Sequence, residues 1–290
     1  MNVSTSSQKA LQQIRRNLSN NQRSLTKATK KIAEGKRITQ AADDAAGLSI
    51  ASQMRSDQVS QEQVSRNIGD AMSLLHTAES SISTQIDIVV RLRELQIQSM
   101  NDTNSTDITA IQNEMIAMFK EYSQISATSN FNRQNLLNSA DTLSFQVGIG
   151  KEDKITLNLE TIRTDTLSSN LGEMLIAKGY VENGFAFGIG LPGPVATLLR
   201  NQTLEYLDNS INALTSIRSN LGGIFNRFEA ALSESQNKST SLAASRSTIE
   251  DADIASEVTN QTQLMIQQNA GTAALSQAKS ISQSILSLLN

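Results

Sequence analysis

The chain has 290 residues and a formal net charge of −3, and its composition is lopsided: aromatics make up 3%, with no Cys, no Trp, 2 Pro and 1 His. Without cysteine there is no disulfide, thiolate nucleophile, zinc finger or iron–sulfur cluster, and a single histidine cannot supply the imidazoles that most transition-metal sites use, so no metal and no cofactor are expected. The charge balance does not point to nucleic acid, no apolar run approaches the ~20 residues that cross a bilayer, and the opening MNVSTSSQKALQQIRRNL lacks the apolar core of a cleavable leader.

Leu11, Ile14, Leu18, Leu25, Ala28 and Ile32 recur in steps of three and four, with Asn21 as the polar member. This is a coiled-coil seam, and it predicts a helix from about Ser7 to Ala33. Gly35 ends it, and GKRITQAADDAAG reads as a connector whose Asp43 and Asp44 stand where a helix macrodipole favours acids. A second helix is predicted from about Asp44 to Met100, along the line Ile68, Ala71, Leu75, Ala78, Ile82, Ile86, Val89. At 1.5 Å per residue its ~55 residues make a rod of ~80 Å. NDTNSTD breaks the pattern, with Ser105 or Thr106 as candidate N-cap, and Ile108, Ile111, Met115, Met118, Tyr122 and Ile125 carry a third helix to about Thr128. The short connection predicts an antiparallel neighbour.

LSFQVGIGKEDKITLNL alternates apolar and polar residues on either side of a turn, which predicts a β-hairpin from about Leu143 to Leu159 as the main β element. Pro192 and Pro194 and eight of the 14 glycines cluster between 148 and 194. Residues 166–200 therefore read as an irregular loop with at most one short helix. Leu207, Ile211, Leu214, Leu221, Phe225, Phe228 and Leu232 begin another long helix, continuing through Leu242 to about Ser247. TIEDADIASEV opens the last helix, with Leu264, Ala274, Ala278, Ile281, Ile285 and Leu288 as its seam. The fold class is mainly α: long antiparallel helices in coiled-coil or bundle rods, with a small β-hairpin region.

Candidate catalytic groups are few, and no enzyme is expected. His76 lies within the long helix with no HExxH around it and reads as structural. The carboxylate groups Asp43–Asp44 and Glu250–Asp251–Asp253 fall at helix starts and Glu152–Asp153 in a turn, where capping accounts for them. GFAFGIGLPGP has neither the GK[ST] of a phosphate loop nor a βαβ context. Residues 1–40 carry nine basic side chains against Glu34 alone, which reads as a solvated helix face rather than a membrane or nucleic-acid surface. The terminal seams are too narrow to order their own helices, so order is expected from partners, as in an assembly subunit.

NNQRSLTKATKKIAEGKRITQAADDAAGLSIASQMRSD with SRNIGDAMSLLHTAESSIS, and IEDADIASEVTNQTQLMIQQNAGTAALSQAKSISQSILSLLN at the other end, resemble the amino- and carboxy-terminal signatures of bacterial flagellins. The words GKRI, DDAAG, SRN, VRLREL, SNFN, IEDAD and QQNAGTAALSQA follow the family's order over about 1–165 and 205–290. Arg133 stands where a turn glycine often follows Phe-Asn, and Ile254 where an aromatic often follows IEDAD. The resemblance implies a subunit that polymerises into the flagellar filament, the propeller for motility, with the hook–filament junction protein as the alternative. It implies three parts: an inner terminal coiled-coil domain of 1–42 with 256–290, a helical rod domain of 43–165 with 205–255, and a reduced variable insertion at 166–204. The insertion contains no histidine, so the metallopeptidase that some members carry there is not expected.

Export without a cleaved signal, as an unfolded chain through the flagellar type III apparatus, is implied too, and ends outside the cell. The implied partners are other copies of the chain, an export chaperone on the C-terminal helix, the filament cap and the hook-junction proteins; no nucleic acid and no membrane are implied. The inner seam is assigned to Leu11, Ile14, Leu18, Leu25, Ile32, Leu264, Ile281, Ile285 and Leu288. Arg91, Leu95 and Glu114 match the types and places through which the innate Toll-like receptor recognises some members. Arg91 and Leu95, four apart, would set a charged fork beside an apolar contact.

Overall fold

The structure is a computed structural model that describes residues 2–101, 108–165 and 194–288. In chain order these form helices α1 (Asn2–Glu34), α2 (Ala45–Ser99) and α3 (Ile108–Thr128), then strands β1 (Asn130–Phe131), β2 (Gln134–Asn135), β3 (Thr142–Gln146) and β4 (Lys154–Asn158). A 3-10 turn (Leu159–Ile162) follows, and then helices α4 (Pro194–Glu250) and α5 (Ile254–Leu288). Contacts divide the chain into a terminal unit, Met1–Val59 with Ser239–Asn290, and a bundle unit, Ser60–Lys238. Both divisions fall inside long helices, α2 and α4, because a helix stays continuous while its packing partners change.

In the terminal unit α1 packs against α5. Gly35, at φ 67°, closes α1 in the left-handed conformation that a glycine adopts without strain, and the Lys36 N–H donates to the Lys31 carbonyl at 3.1 Å, the six-to-one bond of a Schellman end. Asp44 caps α2: its carboxylate accepts the Gly47 N–H at 2.8 Å. A Cβ on Gly47 would overlap that carboxylate and lie 2.8 Å from Cδ1 of the buried Ile38, so the cap requires glycine there. Asp43 accepts the Thr39 N–H and hydroxyl at 3.3 and 3.1 Å. Desolvation raises the Asp43 pKa, but those bonds, another from Gln40 and the attraction of Lys27 outweigh it and hold the carboxyl below its usual range.

In the bundle unit the predicted line on α2 turns inward: Ile68, Ala71, Leu75, Ala78, Ile82 and Val89 are buried. They share one core with Ile111, Met115 and Tyr122 of α3 and with Leu207, Leu214, Leu221 and Phe228 of α4. The hairpin β3–β4 is antiparallel with Phe145 opposite Ile155 and Leu143 opposite Leu157. It sends Ile155 and Leu157 into the core, and Phe145 stacks edge-on against Phe228 with centroids 5.6 Å apart. After the hairpin the chain is pinned by a buried polar knot. The Gln85 amide donates to the Thr164 hydroxyl at 3.0 Å, the Tyr122 hydroxyl donates to the Thr164 carbonyl at 3.3 Å, and the Ser126 and Thr164 hydroxyls bond at 2.9 Å. In a low-dielectric interior such bonds specify one path for the chain.

The elements differ from expectation at three places. Helix α1 starts at Asn2, earlier than Ser7, and α4 runs from Pro194 to Glu250 rather than from about 207 to 247. Proline is preorganised for a first helical position, and the polar Thr203, 1% exposed, continues the buried face one turn before Leu207, where an apolar pattern does not reveal it. The paired β1 and β2 have two residues each, too few to show a period. Residues 166–193, which hold most of the expected loop, and the candidate caps Ser105 and Thr106 lie outside the described residues.

Candidate assembly seam and surface contacts

Along α1, Leu11, Ile14, Leu18, Leu25 and Ile32 are half-buried and Ala28 is buried, all on one side. The facing side of α5 is Gln261, Leu264, Gln268, Gly271, Leu275 and Ala278, half-buried in steps of three and four. Leu264 thus lies on the seam, while Ile281 is 51% exposed. After Ala278 the rhythm of α5 next reaches 282, so Ile281 stands one position off the face that meets α1, and the exposed Ala274 likewise falls outside it. The side chains of Ile285 and Leu288 are outside the described part. What apolar periodicity missed is that part of the α5 seam is polar or bare: the Gln268 amide donates to Gln22 Oε1, the Gln261 amide to the Thr29 hydroxyl at 3.0 Å, and the Asn21 amide to the Leu264 carbonyl at 2.9 Å. Beside Gly271, which packs against Leu18, a groove of about 260 Å³ opens between the helices, lined by Ile14, Leu18, Asn21, Gln267, Gly271 and Ala274.

At the roots of these helices the two connectors meet. Lys36 and Asp251 form an antiparallel bridge. The Ala252 N–H donates to the Gly35 carbonyl at 3.0 Å and the Arg37 N–H to the Glu250 carbonyl at 2.7 Å. The Arg37 guanidinium donates to the Ile249 carbonyl at 2.7 Å, Lys36 pairs with Glu250 at 2.5 Å and Lys31 with Glu257 at 3.3 Å. Asp253 caps α5, accepting the Ala255 and Ser256 amides at 3.0 and 3.3 Å.

On the bundle unit, Arg91 and Glu114 come together. The Arg91 guanidinium donates to Glu114 Oε1 at 3.1 and 2.8 Å from Nε and Nη2, and to Glu94 Oε2 at 3.1 Å from Nη1. These hydrogen bonds, with the charges behind them, raise the Arg91 pKa above its ordinary value. Leu95 does not join them at the surface. It is 1% exposed, part of the core with Ile88 and Leu92, because the edge of the buried face of α2 falls between positions 91 and 95. The expected apolar contact beside the charged fork is therefore corrected to a core residue beneath an ion pair. His76 stacks edge-on against Phe225 at 4.8 Å, and Asp153 closes the hairpin turn by accepting the Gly150 N–H at 2.9 Å.

An out-and-back chain with its two ends paired, an apolar seam left half-covered and carboxylates spent on caps defines a helical assembly subunit. Residues 5–142 match the family described as bacterial flagellin N-terminal helical region, and residues 204–289 the bacterial flagellin C-terminal helical region. The chain is 33% identical over 276 residues to a flagellin of Halalkalibacterium halodurans, covering 94% of this chain and 95% of that one, and 33% identical over 291 residues to a flagellin of Bacillus subtilis, with the same shares. A solved Vibrio parahaemolyticus structure, described as flagellar hook-associated, shares the fold at a TM-score of 0.54 and 10% identity, over 68% of this chain and 96% of that one. The chain belongs to the bacterial flagellin family, and it is a structural subunit of the extracellular flagellar filament, the motility organelle.

Proposed function

We propose that the chain polymerises by covering its terminal helices with those of neighbouring copies. The observation that carries this reading is where apolar surface is left open. Of the ten exposed large hydrophobics among the described residues, five lie on α5: Ile254, Val258, Met265, Ile266 and Ile281. Surface of that kind on a single helix calls for a partner. In such a filament 1–42 with 256–290 form an inner coiled-coil domain, 43–165 with 205–255 form a helical rod domain with the β-hairpin, and 166–204 is a reduced variable insertion. Before assembly the chain passes unfolded through the flagellar type III apparatus with α5 held by an export chaperone, for which an amphipathic helix in a groove is the recognition mode. Cap and hook-junction proteins meet the two filament ends.

The test is I266D, at a position 63% exposed. It places a charge where a neighbouring copy would cover it. Seeded growth should stop while the thermal melt stays at the parent value; growth at the parent rate overturns the placement. For recognition by the Toll-like receptor, the Arg91–Glu114 pair is the surface contact and the buried Leu95 side chain is not.

A further inference from the structure

The polar rungs and the apolar layers between α1 and α5 leave a question of alignment. Sliding α5 by one heptad sets Ile32 beside Leu264, Leu25 beside Gly271, Leu18 beside Ala278 and Thr29 beside Gln268, so the apolar layers survive and one Gln rung is replaced by another. Asn21 does not choose either, because its amide donates to a main-chain carbonyl, and a carbonyl recurs at every residue. A seam built on a seven-residue repeat is degenerate in this sense unless a feature outside the repeat breaks the tie. Among the described residues that feature lies at the roots of the two helices: the Lys36–Asp251 bridge, the amide bonds from Arg37 to Glu250 and from Ala252 to Gly35, and the Lys36–Glu250 pair, with the Lys31–Glu257 pair beside them. All of these agree with the alignment in which Thr29 meets Gln261 and Gln22 meets Gln268.

We propose that this connector clasp, formed by GKRI at 35–38 and IEDA at 249–252, determines the register in which the terminal helices pair. It holds the roots of α1 and α5 of one chain together, so the degenerate seam closes in one alignment and within its own chain. The two words become a functional pair: neither has chemistry to perform, and together they select one pairing among several that the seam tolerates. The inference rests on the proposed function in one respect, that neighbouring copies order these helices, so alignment is read in assembled chain and filament growth is scored separately beside it.

The chain has no cysteine, so two introduced thiols report alignment cleanly through a short bis-maleimide on the full-length protein grown onto filament seeds. T29C with Q261C reads the observed register, and T29C with Q268C reads the slipped one. With the clasp intact the first pair should link within one chain and the second barely at all. R37P/A252P removes both backbone donors of the clasp and leaves the seam unchanged. In that background T29C with Q268C should rise at least about fivefold, as expected when a preference worth ~1 kcal/mol is removed, and links between chains should appear. The milder K36M/E250Q should move the ratio in the same direction. N21L, a change within the seam, should leave the pattern as it is. If R37P/A252P keeps the preference for Q261C, or gives no link in either pair while the bundle unit melts normally, the clasp does not set the register. A change of register on N21L alone overturns the proposal equally.

Discussion

Replacing Arg133 by glycine should stabilise the bundle unit. The turn between β1 and β2 carries positive φ at both central residues, 49° at Asn132 and 67° at Arg133, the pattern of a type I′ hairpin turn. Asparagine tolerates that region. An arginine there pays roughly 1–2 kcal/mol for the approach of its Cβ to the carbonyl oxygen. Glycine removes the strain but gives the unfolded chain more freedom, returning about 0.5–1 kcal/mol. Arg133 is exposed, so truncating it sacrifices little packing, and the net gain is about 0.5–1 kcal/mol. In a domain of this size that raises Tm by about 1–4 °C, readable by calorimetry or by circular dichroism. R133A is the control: it keeps a Cβ and should gain nothing. A lower Tm for R133G, or an equal gain for R133A, refutes the strain assignment.

Acid should separate D43N from the parent. The folded pKa of Asp43 lies below its ordinary value of 3.8, so the ionised carboxylate stabilises the fold above that value and the contribution fades as pH falls through the folded pKa. D43N should therefore melt lower than the parent at pH 7, and the gap should close as the pH falls through the folded pKa of Asp43; a constant gap across the titration contradicts this. Under the proposed inner coiled coil, I285D should leave the melt of the bundle unit unchanged while blocking seeded filament growth, as expected of a charge placed in an apolar seam, and unchanged growth refutes that proposal. L95A should lower stability by about 2–5 kcal/mol as a cavity in the core, visible in the denaturant midpoint. A variant as stable as the parent would return Leu95 to the surface.

Most of the helical architecture was legible in the spacing of Ile and Leu, because a buried stripe on a long helix repeats often enough to be read. Ile68 to Val89 is the clearest instance, and Phe145 and Leu157 show the same for the hairpin, where alternation over five residues matches strand pairing. What escaped was encoded differently. Thr203 and Gln268 are polar residues at facing positions, invisible to a search for apolar ones. The turn at Asn132 and Arg133 is set by backbone dihedrals in strands of two residues. Leu95 shows the limit of spacing for surface sites: four residues put it near Arg91, but only packing decides which side of the core boundary it occupies. The clasp was visible as two family words with no stated task, and only the fold brought 35–38 against 249–252.

The most direct measurement is an image of filaments grown from purified full-length chain on filament seeds, at a detail that traces helices. Tubes built from this chain, with α1 and α5 paired along the inner wall and α4 and the hairpin outside them, are the expected result. Failure to grow under any salt condition, or tubes whose inner wall is formed by the bundle unit, contradicts it.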